Sequence, residues 1–228
     1  MKLGSKTSGL GDILLLTALC RALPNQLTIQ LPPEQKRFEC LFQGLAKVEI
    51  CPKEQIICAQ DFGDGHYARK KLRVFFGPDA DNMDIRPLVI YTNPDDEQWA
   101  ADYLRDKPNP VIVCPFVAKQ WSQVRDLPFD IIQEILGLAK NRQETPIFIQ
   151  DSDQEWQYPT LRNLDLRKLI CLMRQCGKYY GANTGLYHLA VAVGAQITCF
   201  QPEDGPLFQS SEWCYKHPTI KHYTWAAN

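Results

Sequence analysis

Lys178-Tyr179-Tyr180-Gly181-Ala182-Asn183-Thr184-Gly185-Leu186-Tyr187-His188-Leu189-Ala190-Val191-Ala192 is the stretch whose reading decides the fold. Lys178 to Ala182 reads as a strand. A small polar turn follows, and apolar residues then recur at helical spacing from Thr184 to Val193. Gln196 to Phe200 is a second short strand. Strand, turn, helix and strand in so short a span form the unit of a stacked parallel α/β sheet.

The same alternation extends upstream. Val111 to Pro115 is a buried strand, and Phe129 to Lys140 a strongly amphipathic helix with Ile131, Ile132, Ile135, Leu136 and Ala139 on one face. Ile147 to Gln150 reads as a strand and Leu166 to Met173 as a helix. The tail after Pro206 reads as aromatic and irregular. Lys107-Pro108-Asn109-Pro110 breaks the pattern, because two prolines so close favour an extended connector. The lobe boundary is therefore placed between 107 and 108, giving a first lobe 1–107 and a second lobe 108–228.

In the first lobe a helix runs from Gly11-Asp12 to about Leu23, where Pro24 stops it. Leu27 to Leu31 is a strand candidate and Pro33 to Phe42 a helix with Pro in its first turn. Val48 to Cys51 and Gln55 to Ala59 read as strands, Tyr67 to Phe76 as a helix with a basic face, and Arg86 to Thr92 as extended chain. Asn93-Pro94-Asp95-Asp96 has a cap, a proline and two acids, and so opens a helix reaching about Arg105.

Composition bounds the function. At 228 residues and 45% apolar the chain has a proper core. A net charge of -1 gives no global field for nucleic acid. None of the nine cysteines forms a C-x-x-C pair, and most sit in apolar runs. They read as buried, reduced thiols of a cytoplasmic protein. The four histidines show no metal-ligand spacing with them, so no metal site is expected. The apolar run Ile13 to Leu19 is short and follows Gly-Asp, unlike a secretory leader. No apolar stretch approaches the ~20 residues of a membrane helix, so no integral membrane association is expected.

Three segments carry candidate chemistry. In Ser8-Gly9-Leu10-Gly11-Asp12, Gly9 and Gly11 allow a tight turn at a helix start, and Asp12 is either a helix cap or a general base. In the 183–188 turn, the N–H groups of Thr184 and Gly185, the Thr184 hydroxyl and the helix dipole suit a diphosphate. An ordinary Asn/Thr cap has the same pattern. In Pro115-Phe116-Val117-Ala118-Lys119-Gln120-Trp121 a strand enters a loop, where Lys119 either offsets phosphate charge or is simply solvated.

The order of these segments resembles the ADP-heptose:lipopolysaccharide heptosyltransferase family of GT-B fold. Gly9-Leu10-Gly11-Asp12 and the helix after it match the family's opening Gly-x-Gly-Asp. Pro115 and Lys119-Gln120-Trp121 match its Pro and Lys-x-Trp, and Asn183-Thr184-Gly185-Leu186-Tyr187-His188-Leu189-Ala190-Val191-Ala192-Val193-Gly194 is similar to its Asp-Thr/Ser-Gly-x-x-His-Leu-Ala-x-Ala-x-Gly signature. The resemblance implies an α/β GT-B-like fold of two Rossmann-like lobes with a cleft between them. It implies an inverting, metal-independent glycosyltransferase that takes its sugar from a nucleotide-diphosphate donor and needs no other cofactor.

Carried over by position, Asp12 resembles the base that takes the acceptor proton, and Lys119 the cation that steadies the leaving diphosphate. Gly9, Gly11, Asn183, Thr184, Gly185 and His188 resemble the donor-binding set. Three features depart from the family. Asn183 stands where Asp is usual. The 115–119 loop is shorter and lacks the usual Ser/Thr residues. The chain is also shorter, mostly in the first lobe. The expected acceptor is a surface glycan or lipopolysaccharide core. A hydroxymethylated DNA base is the alternative, motivated by Arg69-Lys70-Lys71 and Arg73. A non-catalytic nucleotide-sugar-binding module is a further reading, which Asp12 disfavours. A dinucleotide dehydrogenase lacks the full glycine fingerprint here.

Overall fold

The structure is a computed structural model, and it describes residues 2–4, 9–56, 73, 77–84, 86–116, 126–150, 153–202 and 219–225. The chain divides into two compact units between Tyr91 and Thr92.

The first unit holds strands β1 (Lys2–Gly4), β2 (Thr28–Leu31) and β3 (Lys47–Ile50), joined in parallel in the order β1-β2-β3. Helix α1 (Leu10–Ala22) connects the first two. Every residue of α1 from Ile13 to Cys20 is buried, as an all-round apolar helix requires. Thr17 is the polar exception, and it is satisfied on both sides. Its hydroxyl donates to the Leu14 carbonyl at 2.6 Å and accepts from the Leu88 N–H at 2.9 Å. That bond ties the 86–91 segment to α1.

One sequence expectation is refined here and another changes. Pro33–Phe42 is helical as expected, in the tighter 3₁₀ form. Of its buried residues Gln35, Phe38, Leu41 and Phe42, the first three recur every third position, the period of the tighter coil. Gln55, read as the start of a strand, ends a 3₁₀ turn over Lys53–Gln55. The expected helix Tyr67 to Phe76 lies outside the described residues, apart from Arg73. Strand β1 was not expected, because Lys-Leu-Gly is too short to show alternation.

The second unit holds a six-stranded sheet, parallel throughout, in the order β6-β5-β4-β7-β8-β9. Its strands are β4 (Pro110–Cys114), β5 (Thr145–Ile149), β6 (Thr160–Leu161), β7 (Lys178–Ala182), β8 (Gln196–Pro202) and β9 (Ile220–Trp225). The chain runs outward from β4 to β6, then returns to β7 and runs the other way. This is the doubly wound order, and it reverses between β4 and β7. Strand β9 corrects the reading of the tail as irregular. Its pairing with β8 over Ile197↔Ile220 to Pro202↔Trp225 supplies the order that local pattern did not reveal.

Among its described residues this unit also holds helices α2 (Pro94–Leu104), α3 (Phe129–Asn141), α4 (Leu166–Cys176) and α5 (Gly185–Ala192). The Asn93 carboxamide caps α2 as expected, accepting from the Asp95 and Asp96 N–H groups at 3.0 and 3.2 Å. The sequence boundary at 107/108 had put α2 in the first lobe. In the structure α2 packs on α4: the Gln175 amide donates to the Glu97 carbonyl at 2.9 Å, and the Lys168 ammonium lies 5.1 Å over the Trp99 ring. Facing α3, Ile132 and Ile135 pack with Val111, Val113, Phe148, Tyr180 and Ala182 of the sheet.

Candidate functional site

Open α/β sheets bind ligands beyond the carboxyl ends of their strands, where the strand order reverses. In the second unit that place lies between β4 and β7. Cys114 stands opposite Gly181 in their ladder. Pro115–Phe116 and Asn183–Thr184 therefore leave neighbouring strands at the same edge of the sheet. The described start of one segment singled out by sequence, Pro115–Phe116, and the 183–185 turn of another meet at this edge. The chain returns to it at Leu127, whose N–H donates to the Pro115 carbonyl at 2.8 Å.

The turn after β7 begins the helix one residue later than expected. Thr184 is the cap, extended at φ -131° and ψ -178°, and Gly185 is the first helical residue. The Thr184 hydroxyl oxygen accepts from the Leu186 N–H at 3.1 Å. The first N–H groups of any helix have no carbonyl within the helix to bond. The cap takes that of Leu186, and Gly185 sits one position before it. Gly185 carries no side chain, so a ligand can approach its backbone closely. Asn183, Thr184 and His188 are half-buried, and the His188 ring meets the fully buried Tyr187 edge-on at 5.2 Å.

Beneath the turn lies a residue that sequence reading did not single out. Tyr179 is fully buried, and its hydroxyl donates to the Ala182 carbonyl at 2.8 Å. Burial pushes its phenol well above the ordinary range, so it stays a neutral hydroxyl. Room for the ring comes from small neighbours, since Gly181 lies between Cys114 of β4 and Cys199 of β8 in register. The signal available in the sequence was a tyrosine two residues before a strand glycine, a pairing with no meaning until β4 and β8 flank it.

The Gly9-Leu10-Gly11-Asp12 segment opens α1 in the first unit. Gly9 is the cap residue, and Asp12 stands in the first turn, half-buried. A Cβ on Gly9 would come within 3.0 Å of Asp12 Oδ2, so the carboxylate folds back over the helix start. The positive end of the helix favours its ionised form. Gly11 lies within the first turn and is half-buried.

Lys119 and Trp121 lie outside the described residues, as do His66 and Arg69-Lys70-Lys71. Arg73, next to that basic run, pairs with Asp81 at 2.7 Å. Among the described residues no group of three or more His, Cys, Asp or Glu is placed to hold a metal, and no helix is long and apolar enough to cross a membrane. The described cysteines are free thiols, and burial pushes Cys20 and Cys176 up to about 12.

At the end of β5 a second aromatic group was also missed. Phe148 stacks on Trp156 with ring centres 4.5 Å apart, and the Trp156 N–H donates to the buried Gln150 Oε1 at 2.8 Å. These side chains rigidify the strand end beside the switch point.

No protein-family model matches the chain, and no curated sequence does. Solved structures do. An ADP-heptose lipopolysaccharide heptosyltransferase II from E. coli superposes with a TM-score of 0.70 at 10% identity, over 97% of this chain and 89% of that one. A glycosyl transferase family 9 protein from Veillonella parvula gives 0.69 at 9% identity, over 100% and 87%. The E. coli heptosyltransferase WaaC with ADP gives 0.63 at 12% identity, over 98% and 93%. By fold this chain is a GT-B-like α/β protein, similar in architecture to the solved heptosyltransferase structures.

Proposed function

We propose that the protein is a glycosyltransferase that moves a sugar from a nucleotide-diphosphate donor to a hydroxyl acceptor. The observation that carries this reading is the Asn183-Thr184-Gly185 turn at the switch point of a doubly wound sheet, in a chain with the heptosyltransferase fold. Solved structures of that fold include WaaC with ADP and with ADP-2-deoxy-2-fluoro heptose.

The residues have separate tasks. N–H groups at Thr184 and Gly185 and the dipole of α5 hold the diphosphate, and Lys119 offsets the charge that grows as it leaves. Asn183, which has no charge to repel the diphosphate, contacts sugar hydroxyls, with His188 beside it. Asp12 takes the acceptor proton as the new glycosidic bond forms. Direct displacement with a base on one face and charge stabilisation on the other inverts the anomeric centre and requires neither a metal nor a further cofactor. The acceptor class is a surface glycan or lipopolysaccharide core. The free described cysteines fit a reducing, cytoplasmic setting.

Thermal-shift screening against nucleotide sugars and nucleoside diphosphates tests the reading, because a ligand that binds only the folded state raises stability by mass action. The expected result is a rise in Tm with at least one nucleotide-diphosphate sugar and transfer from it in the presence of EDTA. No response to any donor would sink the proposal, and transfer abolished by EDTA would sink its metal-free form.

A further inference from the structure

We infer that Phe116, backed by Trp156, is the shelf on which the base of the donor nucleotide stacks. This deepens the proposed function and rests on it. Strand order sets the spacing. Neighbouring strands lie about 4.8 Å apart, and β4 stands between β5 and β7. Phe116 follows β4 and Asn183-Thr184 follows β7 at the same edge of the sheet, since Cys114 is opposite Gly181. An aromatic ring on the β4 side therefore faces the proposed diphosphate turn across the point where the strand order reverses. A nucleoside diphosphate calls for such a pair of sites, one for the anion and one apolar, with the ribose between them.

The ring rests on a rigid base. Phe148 of β5 is fully buried. Trp156 stacks on it with ring centres 4.5 Å apart, and Phe116 stacks on Trp156 at 6.2 Å. Trp156 and Phe116 are only half-buried. The Trp156 N–H donates to the Gln150 Oε1 at 2.8 Å, and the Gln150 amide donates to the Gln154 carbonyl. Gln150 is 5% exposed, and a buried amide costs stability unless it is bonded. Its two bonds fix the plane of the indole. Core filling alone would be served by an aliphatic side chain, with no buried amide to satisfy. With the indole N–H taken, and no polar atom on phenylalanine, these rings offer a base only their faces. Every base has a π-face, so stacking of this kind is tolerant of sequence. The shelf adds affinity for the nucleoside without selecting the base.

The test compares ADP, pyrophosphate and adenosine on the wild type and on Phe116→Leu, by calorimetry for the first two and ligand-observed NMR for adenosine. Leucine keeps apolar bulk and removes the π-face, and a thermal melt checks the fold. Phe116→Leu should weaken ADP about tenfold, the effect of one lost base–aromatic stack. It should weaken adenosine likewise and leave pyrophosphate unchanged, because pyrophosphate has no base. Phe116→Tyr, which keeps the face, should bind ADP like wild type. If Phe116→Leu does not fold, Phe116→Met also removes the ring while filling irregular space. Unchanged ADP affinity places the base elsewhere and overturns the assignment. Equal weakening of ADP and pyrophosphate also overturns it, and leaves Phe116 as packing beneath the turn. Wild-type protein that binds adenosine but not pyrophosphate overturns the reading of the turn as a diphosphate site and leaves the shelf standing, whereas protein that binds none of the three overturns both.

Discussion

Gly181 faces Cys114 across the β4–β7 ladder so closely that a Cβ added to it would lie 2.3 Å from the Cys114 carbonyl oxygen. The blocking atom is backbone in a central strand and cannot rotate away. Gly181→Ala must therefore push β4 and β7 apart or displace Tyr179, whose hydroxyl would be 2.9 Å from the new methyl. Overpacking of this kind costs about 3 kcal/mol. Urea unfolding should show a loss near that size, and a loss below about 1 kcal/mol would mean that the two strands part easily.

Asp12→Asn should slow transfer by about 10²–10⁴-fold, the usual contribution of a general base, while donor affinity stays near that of wild type. The substitution keeps the size of the side chain that folds over Gly9 and removes its charge. Single-turnover kinetics at saturating donor separate the two effects. Turnover near the wild-type rate would leave Asp12 as a helix-capping residue only.

Gly185→Val should weaken nucleotide binding more than it weakens folding. A branched side chain at the first helical position blocks close approach of a phosphate oxygen to the backbone, whereas β-branching in a helix costs under ~1 kcal/mol. Calorimetric titration with ADP, set beside a thermal melt, reads both quantities. Unchanged affinity would move the diphosphate away from the start of α5.

Asp84 gives a pH dependence with a definite sign. Burial alone would raise its carboxyl, but hydrogen bonds from Arg86 and Arg21 outweigh that and hold it well below its ordinary value of 3.8. A carboxyl depressed on folding contributes stability that is fully present above its unfolded value and is lost as pH falls through the folded one. The group is 36% exposed, so solvent screening limits the contribution to about 1 kcal/mol. Asp84→Asn should be less stable than wild type by that amount at pH 7. Measured by urea unfolding, the gap should narrow as the pH drops below about 4, and a gap that widened in acid would contradict the pairing.

The α/β character of the chain was legible because it is local. Period, caps and breakers placed α2 at Asn93 and α3 at Phe129, and the small polar turn at 183–185 stood out between a strand and a helix. The motif residues were legible for the same reason, since each lies within a few positions of a glycine or a helix start. Strand order, the allocation of α2 to the second unit, and the strands β1 and β9 were not. They depend on which surfaces meet, and short edge strands such as Lys2–Gly4 acquire their conformation from partners distant in sequence. The same holds for Tyr179. Sequence supplied a tyrosine, a glycine and two cysteines, each unremarkable alone. The close parallel pairing of β4, β7 and β8 puts Gly181 and the two cysteines in one row, and only there does the absence of a Gly181 side chain become the space beside which the buried Tyr179 hydroxyl sits.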